Sequence, residues 1–151
     1  MDTVFLDLEE TVIDSWDNGL LVNSGKVRDF LQQNSVKSVH IFSFAIWNDK
    51  DKVDFDRRLR PFLNRALSTD FGLVPSVEDM MKVDTAITGV HFDSITDFVS
   101  IRGKQGAFMS FCKHHFDRKH NVLVDDVVPN AMFHNFDTGL KLQFVNVGSL
   151  K

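Results

Sequence analysis

Carboxylate, hydroxyl and ammonium groups stand where apolar segments of this sequence end or turn. The residues concerned are Asp7, Glu9, Ser43, Lys104, Asp125 and Asp126. Clustered carboxylates repel one another, so their assembly favours a hard divalent cation such as Mg²⁺. A hydroxyl and an ammonium group beside such a cation could bind the oxygens of a phosphate. These residue types therefore indicate metal-assisted phosphate chemistry, provided that the fold brings them together.

Three segments predicted as strands carry most of these groups at their ends. Residues 3–8 (TVFLDL) are rich in β-branched and aromatic residues. Residues 38–46 (SVHIFSFAI) lack clean alternation, which is typical of a strand covered on both faces of a parallel sheet. Residues 121–128 (NVLVDDVV) form the clearest later strand. Because parallel strands end at one edge of a sheet, we expect their polar ends to meet there.

Helical periodicity and capping residues predict the helices between these strands. The predicted helices cover residues 26–34, 52–67, 76–87 and 107–116. Pro61 should kink or divide the second helix. Ser76 and Asp79 match a capping box at the start of the third. Lys104 lies in the glycine-flanked turn RGKQG before the last helix, where free N–H groups and the helix dipole favour an anion.

Two further segments complete the predicted fold. Residues 96–101 (TDFVSI) are predicted as an additional strand, and residues 140–147 (LKLQFVNV) alternate like a final edge strand. Strands alternating with helices predict an α/β fold, a Rossmann-like three-layer sandwich with a mainly parallel central sheet. The length of 151 residues favours a single domain over residues 1–151.

Composition narrows the classes of function. The net charge of −4 gives no support for broad nucleic-acid binding, which needs a basic excess. The single cysteine, Cys112, excludes an internal disulfide and suits a reducing compartment. No basic-then-apolar leader opens the sequence, and no apolar run reaches the length of a membrane span. We therefore expect a cytoplasmic protein.

Four segments, in order, resemble the motifs of the haloacid dehalogenase-like (HAD) phosphatases. They are DLEET at residues 7–11, VHIFS ending at Ser43, Lys104 ahead of a helix, and VLVDD ending at Asp125 and Asp126. Each motif alone has low specificity, whereas the ordered set is fairly specific and spans about residues 3–130. The resemblance implies a HAD-like fold and a Mg²⁺-dependent phosphomonoesterase.

The resemblance also implies roles for the two acids of the first motif. Asp7 would be the nucleophile and would form an aspartyl-phosphate, dividing the reaction into two easier steps. Glu9 would be the acid/base, protonating the leaving oxygen and then activating water. The metal would be held in part by the Asp7 side chain and the backbone carbonyl of Glu9.

The other three motifs supply the phosphate and metal ligands in this resemblance. Thr11 would hold the first-motif turn beside the phosphate, and Ser43 and Lys104 would bind the phosphoryl oxygens. Asp125 and Asp126 would complete the Mg²⁺ site.

The sequence departs from the family pattern in two respects. Glu9 stands where the family usually has Asp, and a misplacement near 1 Å can cost roughly 10²-fold in rate. No large insertion follows the first motif, so the site should have little or no cap. Within the family an open site suits large phosphorylated substrates, or a cap supplied by a partner subunit. A nucleotide or nucleic-acid phosphate end is the first substrate expectation, ahead of phosphoproteins and sugar phosphates.

Two other classes compete with a working phosphatase. The first is a HAD-like binding or regulatory protein in which Glu9 marks weak or lost turnover. The second is a response-regulator-like domain. In that class the paired acids come first in the chain and the phosphorylated Asp lies on a later strand, so the order here argues against it.

Several remaining features have simpler readings beside functional ones. Lys113 competes with Lys104 but falls inside a predicted helix. The cluster Cys112, His114, His115 and His120 could bind zinc, yet it lacks the paired ligand spacing and is explained by a basic helix end.

Arg57, Arg58 and Arg60 form either a solvated helix face or a basic border of the cleft. Trp16 and Trp47 could stack on a substrate base or pack at the rim of the core.

Overall fold

A computed structural model describes residues 1–115, 120–135 and 139–151, except for the side chains of 114 and 115. The strands are β1 (Thr3–Leu6), β2 (Ser38–Ile41), β3 (His120–Asp125), β4 (Ala131–Asn135) and β5 (Leu140–Asn146). The helices are α1 (Ser24–Gln33), α2 (Asp49–Asp54), α3 (Arg60–Leu67), α4 (Val77–Thr88) and α5 (Ile95–His115). A π-helical turn, Phe55–Leu59, joins α2 to α3, and a 3₁₀ turn, Val147–Ser149, follows β5.

The five strands form one sheet in the order β2-β1-β3-β5-β4. The first four in this order run parallel, and β4 pairs antiparallel with β5. The chain passes from β1 to β2 on one side and later returns to β3 on the other side of β1. A parallel sheet has its binding crevice at such a switch point, beyond the carboxyl ends of the strands. The fold is thus α/β with a mainly parallel central sheet, compatible with a Rossmann-like sandwich.

Helices pack on both faces of this sheet because successive side chains of each strand point to opposite faces. In β1, Val4 and Leu6 face a core that includes residues of α1 and α3, whereas Phe5 faces α4 and α5. Buried Phe side chains concentrate in the second core, where the rings of Phe5, Phe42 and Phe108 meet edge-on. The sequence has 15 Phe, and this core accounts for several of them.

Most predicted helices are confirmed in place. The capping box at the start of α4 is present: Asp79 N donates to Ser76 Oγ at 3.1 Å, and Ser76 N donates to Asp79 Oδ2 at 3.0 Å. The helix predicted at residues 52–67 is divided, as Pro61 requires, but by the π-helical turn rather than by a break. A wider turn ahead of a proline accommodates its missing N–H.

The strand predicted at residues 96–101 is wrong, because these residues form the first turns of α5. Its β-branched and aromatic residues favoured a strand, but Ser94 caps the start of a helix here. Asp97 N donates to Ser94 Oγ at 3.1 Å, and Phe98 N donates to Ser94 O at 3.1 Å. Phe98 is fully buried, and Ile95, three positions earlier, packs against the same core, so both lie on one face of the helix.

The edge position predicted for residues 140–147 is also wrong. The strand β5 lies between β3 and β4, so it has hydrogen-bonded neighbours on both sides. The strand that lies at this edge is β4 (Ala131–Asn135, AMFHN), which the sequence did not indicate because its residues show no alternation. Most of its side chains are exposed. Two other predicted strands end early, at Leu6 and Ile41, so that their polar ends lie in loops.

Among the helices described, none combines the length and the apolar character that crossing a membrane requires.

Candidate functional site

The site lies at the switch point, where the chain leaves β1 and β3. Leu6 is paired with Val124, and Asp7 N donates to Val124 O at 3.0 Å, so the ladder extends one residue past β1. The side chains of Asp7 and Asp125 therefore leave neighbouring strands at the same level. Both are buried, at 7% and 0% exposed. A cavity of about 490 Å³ opens above them.

Lys104 reaches this edge of the sheet from helix α5, which packs on one face of the sheet. Its Nζ lies 2.9 Å from Asp7 Oδ1 and 3.0 Å from Asp125 Oδ2. The helix α5 is interrupted one residue earlier, at Gly103 (φ 65°, ψ 179°), so Lys104 opens the second half of α5. That conformation is nearly restricted to glycine. The prediction that Lys104 follows a glycine turn at a helix start agrees with this geometry, and the competitor Lys113 is exposed.

The carboxylates of Asp7, Asp125 and Asp126 form one cluster. Each offers an oxygen, and these oxygens lie within 4.8 Å of one another. Burial raises the pKa of Asp126 to about 6, and repulsion by Asp125 and Asp7 adds to the rise. Burial also raises the pKa of Asp7; the Lys104 ammonium opposes the rise and Asp125 reinforces it. One ammonium does not balance three carboxylates.

Three N–H groups of the turn after Asp7 share one backbone carbonyl. Leu8 O accepts hydrogen bonds from the backbone N–H groups of Thr11, Val12 and Ile13 at 3.0–3.1 Å. Thr11 Oγ1 donates to Asp7 Oδ2 at 3.3 Å. Since Thr11 is fully buried under this turn, it orients the Asp7 carboxylate and holds the turn.

Glu9 lines the cavity but is exposed, and its side chain turns toward its own loop. Glu9 Oε2 accepts a hydrogen bond from Trp16 N at 2.9 Å. Trp16 is partly buried and carries the Arg58 guanidinium over its ring at 5.1 Å. The carboxylate of Glu9 thus helps close the loop of residues 9–16 at the mouth of the cavity.

Ser43 comes to the cavity from the end of β2, as predicted. It is buried, and its Oγ accepts a hydrogen bond from Ala45 N at 3.1 Å. The flanking Phe42 and Phe44 rings lie 5.9 Å and 4.9 Å from Lys104 Nζ. Aromatic faces attract an ammonium group, so the end of β2 holds Lys104 in place.

The acidic cluster fits a hard divalent cation. Asp125 Oδ2 is buried and, within the described part of the chain, makes the ionic contact with Lys104 but no hydrogen bond. Asp125 Oδ1 accepts from Val127 N at 2.8 Å, which orients the carboxylate toward the cavity side. The pKa is raised for two of the three carboxylates, Asp7 and Asp126, and the third, Asp125, has this buried Oδ2 without a hydrogen bond among the described residues. Clustered carboxylate oxygens of this kind are ligands that Mg²⁺ prefers.

Sequence analysis missed Asp84, whose carboxylate binds residues of α5 on both sides of the turn that carries Lys104. Its fully buried carboxylate accepts from Arg102 Nε at 3.0 Å and from Ser110 Oγ at 2.7 Å. These two partners lie on either side of the break at Gly103. Asp84 follows the buried Val77 by seven positions and the buried Met80 by four, so it lies on the buried face of α4. An acid at such a position was the sequence signal that could have identified it.

The cluster of Cys112, His114, His115 and His120 lies partly outside the described residues. Cys112 is buried, which raises the pKa of its thiol. His120 Nε2 lies 2.9 Å from Gln143 Oε1, whereas the side chains of His114 and His115 lie outside the described residues. The zinc alternative therefore stays untested.

The basic run and the tryptophans lie outside the cavity lining. Arg58 pairs with Asp54 at 3.2 Å, and Arg60 pairs with Asp56 at 2.7 Å. Neither arginine lines the cavity, nor do Trp16 and Trp47. The solvated-face reading of the arginines is therefore the better one.

Comparisons of the chain with models of protein families, with curated proteins and with solved structures find no match. The fold and the site define an α/β protein with a buried acidic cluster and one lysine at the switch point of its sheet.

Proposed function

We propose that this protein is a HAD-like, Mg²⁺-dependent phosphomonoesterase that acts through an aspartyl-phosphate on Asp7. The observation that carries the proposal is the convergence of Asp7, Lys104 and Asp125. They come from three distant parts of the chain, and one ammonium contacts both carboxylates within 3.0 Å. A structural ion pair alone would not need the additional acid Asp126 or a cavity above it.

Each group has a distinct task in the proposed reaction. Asp7 attacks phosphorus and releases the alcohol, and water then cleaves the aspartyl-phosphate to restore the carboxylate. Lys104 and Ser43 bind the phosphoryl oxygens, and Thr11 orients Asp7. Glu9 gives a proton to the leaving oxygen and takes one from the attacking water.

The metal would be held by Asp7, Asp125, Asp126 and the backbone carbonyl of Glu9. When bound, Mg²⁺ offsets the negative charge that the phosphoryl group brings to the carboxylates. Asp125 is held in one orientation by the Val127 N–H, so the chain supplies a preset ligand.

A second candidate function is a HAD-like protein that binds phosphate or Mg²⁺ without turnover. The observation that favours it is the hydrogen bond from Trp16 N to Glu9 Oε2, which turns the acid/base toward its own loop. Binding without release of phosphate is the expected behaviour in that case.

The test measures phosphate release from a panel of phosphomonoesters with Mg²⁺, with EDTA, and with Asp7→Asn. We expect release that EDTA abolishes and that Asp7→Asn lowers by at least about 10³-fold. Asp70→Asn, the same change at an exposed position outside the cavity lining, serves as the matched control. Release that is unchanged by EDTA or by Asp7→Asn would rule out the mechanism.

A further inference from the structure

We infer that the preferred substrate carries a single phosphate on a neutral or positively charged group, and that polyanions are disfavoured. This inference rests on the proposed function and specifies its substrate class. It departs from the nucleic-acid end that the sequence suggested first. The observation behind it is the charge of the cavity wall.

Acidic side chains dominate the cavity lining. They are Asp7, Glu9, Glu10, Asp14, Asp125 and Asp126. Among the described residues, Lys104 is the basic residue in that lining. A bound Mg²⁺ and Lys104 together carry three positive charges, which equal the charge of the three clustered aspartates. The carboxylates of Glu9, Glu10 and Asp14 remain unbalanced at the mouth.

The Asp14 carboxylate is fixed rather than free to swing away. Asp14 Oδ1 accepts from Ser15 N at 2.7 Å and from Leu20 N at 2.9 Å, and Oδ2 accepts from Asn18 Nδ2 at 3.2 Å. Glu9 is held by Trp16 N in the same loop. The negative charge at the mouth is therefore part of the folded loop.

Arg58 lies against this loop but, like Arg60, it pairs with an acid of its own and lies outside the cavity lining. Arg58 pairs with Asp54 and covers the Trp16 ring, and Arg60 pairs with Asp56. A second phosphate beside the scissile one, as in an oligonucleotide or a sugar bisphosphate, would meet acids instead of arginines. An ammonium or guanidinium group beside the phosphate would be attracted.

Apart from Ser15 and Ser43, the remaining wall is apolar and supports a carrier without charge of its own. Phe44 and Ala45 follow Ser43, and Val127 follows the acidic pair and is 71% exposed. A hydrocarbon or peptide stem can cover these side chains while its phosphate reaches Lys104.

The experiment compares matched substrates at low and at physiological salt. One pair is fructose 6-phosphate against fructose 1,6-bisphosphate, with phosphoethanolamine added as a cationic monophosphate. The second is a phosphoserine peptide with flanking lysines against the same peptide with flanking glutamates, and oligonucleotides phosphorylated at either end form a third arm. We expect kcat/KM to be about tenfold higher for the neutral or cationic members at low salt, with the preference falling as salt screens the exposed charges.

Two variants connect the preference to the cavity mouth. Glu10→Lys should reduce or reverse it, because an exposed acid of the lining changes sign. Asp70→Lys makes the same change in net charge at an exposed position outside the lining, and should leave the preference unchanged. A preference unaffected by Glu10→Lys, or one equally affected by both variants, would overturn the inference.

Binding separates this inference from the proposed function. The same ligands are titrated with Mg²⁺ into Asp7→Asn, which the proposed mechanism makes inactive. Absence of hydrolysis by the wild type, with tighter binding of the neutral and cationic ligands, contradicts the phosphatase and supports the charge preference. Equal or tighter binding of the bisphosphate or the oligonucleotide overturns the preference even if hydrolysis is found, and so does failure of every ligand to bind.

Discussion

Lys104 Nζ lies 2.9 Å from Asp7 Oδ1, although 97 positions separate the two residues in the chain. Both side chains are only 10% exposed. The same ammonium contacts Asp125, so one cation joins the loops after β1 and β3. This contact connects the helical layer of α5 to the edge of the sheet where the acids lie, and it is the basis for the first prediction.

Replacing Lys104 by Met keeps the length of the side chain and removes its charge. We expect KM for a phosphomonoester to rise and kcat/KM to fall by about 10²–10³-fold, since a charged donor to the phosphoryl oxygens is lost. Steady-state kinetics measure the effect. Lys113→Met is the matched control, because Lys113 is exposed on the same helix, and it should change kcat/KM by less than about threefold. Equal effects of the two changes would contradict the role of Lys104.

Gly103 is expected to be required for the position of Lys104. Its φ of 65° and ψ of 179° lie in a region that side chains avoid, although a Cβ there would meet no atom within 4 Å. Gly103→Ala should therefore lower the free energy of unfolding by about 1–3 kcal/mol through backbone strain. Urea denaturation measures the cost. The control is Gly25→Ala in α1, where a Cβ is equally free and φ is ordinary, so no loss of stability is expected.

Asp84 is expected to act on the site through the Gly103 break. Asp84→Asn removes the charge that holds Arg102 and Ser110, at a cost in unfolding free energy of about 2 kcal/mol. Amide hydrogen exchange at residues 103–105 should become faster, and KM should rise more than kcat falls. Ser76→Ala, which costs about 1 kcal/mol by removing the N-cap of α4, should leave both readouts unchanged. If the two variants accelerate exchange at the break equally, Asp84 has only a general stabilising role.

Glu9 decides between a working phosphatase and a binding protein. Its carboxylate reaches Trp16 N, and an Asp would be one methylene too short to keep that contact. We expect Glu9→Asp to lower kcat and Glu9→Gln to lower it further, by about 10²–10⁴-fold, through loss of proton transfer. Single-turnover phosphate release measures both. A large increase in rate for Glu9→Asp would instead favour the weak or inactive binding protein.

The stability of the Mg²⁺-free protein should depend on pH through Asp126. Its pKa is raised from 3.8 to about 6, so the folded state holds a proton that the unfolded state releases. Between those values unfolding releases protons, and the contribution of Asp126 to stability falls as the pH rises. Asp126→Asn should therefore gain stability relative to the wild type from pH 4 to pH 6.5 in EDTA, as followed by urea denaturation. A difference that is constant with pH would contradict the raised pKa.

The sequence by itself determined the parts of this protein that depend on local pattern. Apolar runs ending in acids predicted β1 and β3, and the Ser76 and Asp79 spacing predicted the start of α4. In these segments the residue preferences and the burial agree. The meeting of Asp7 with Asp125 could also be foreseen, because parallel strands bring their carboxyl ends to one edge.

Only the tertiary structure decided the features that depend on contacts distant in sequence. Residues 96–101 have strand-like composition but pack Phe98 against the Phe-rich core as a helix, since burial outweighs weak intrinsic preference. The antiparallel strand β4 moves β5 to the interior of the sheet, a pairing that no local pattern specifies. The charge around Asp7 likewise depends on which acids line the cavity and which arginines are paired elsewhere. Spacing along a chain specifies the faces of helices and strands, whereas charge balance in a cavity is set by residues that meet only after folding.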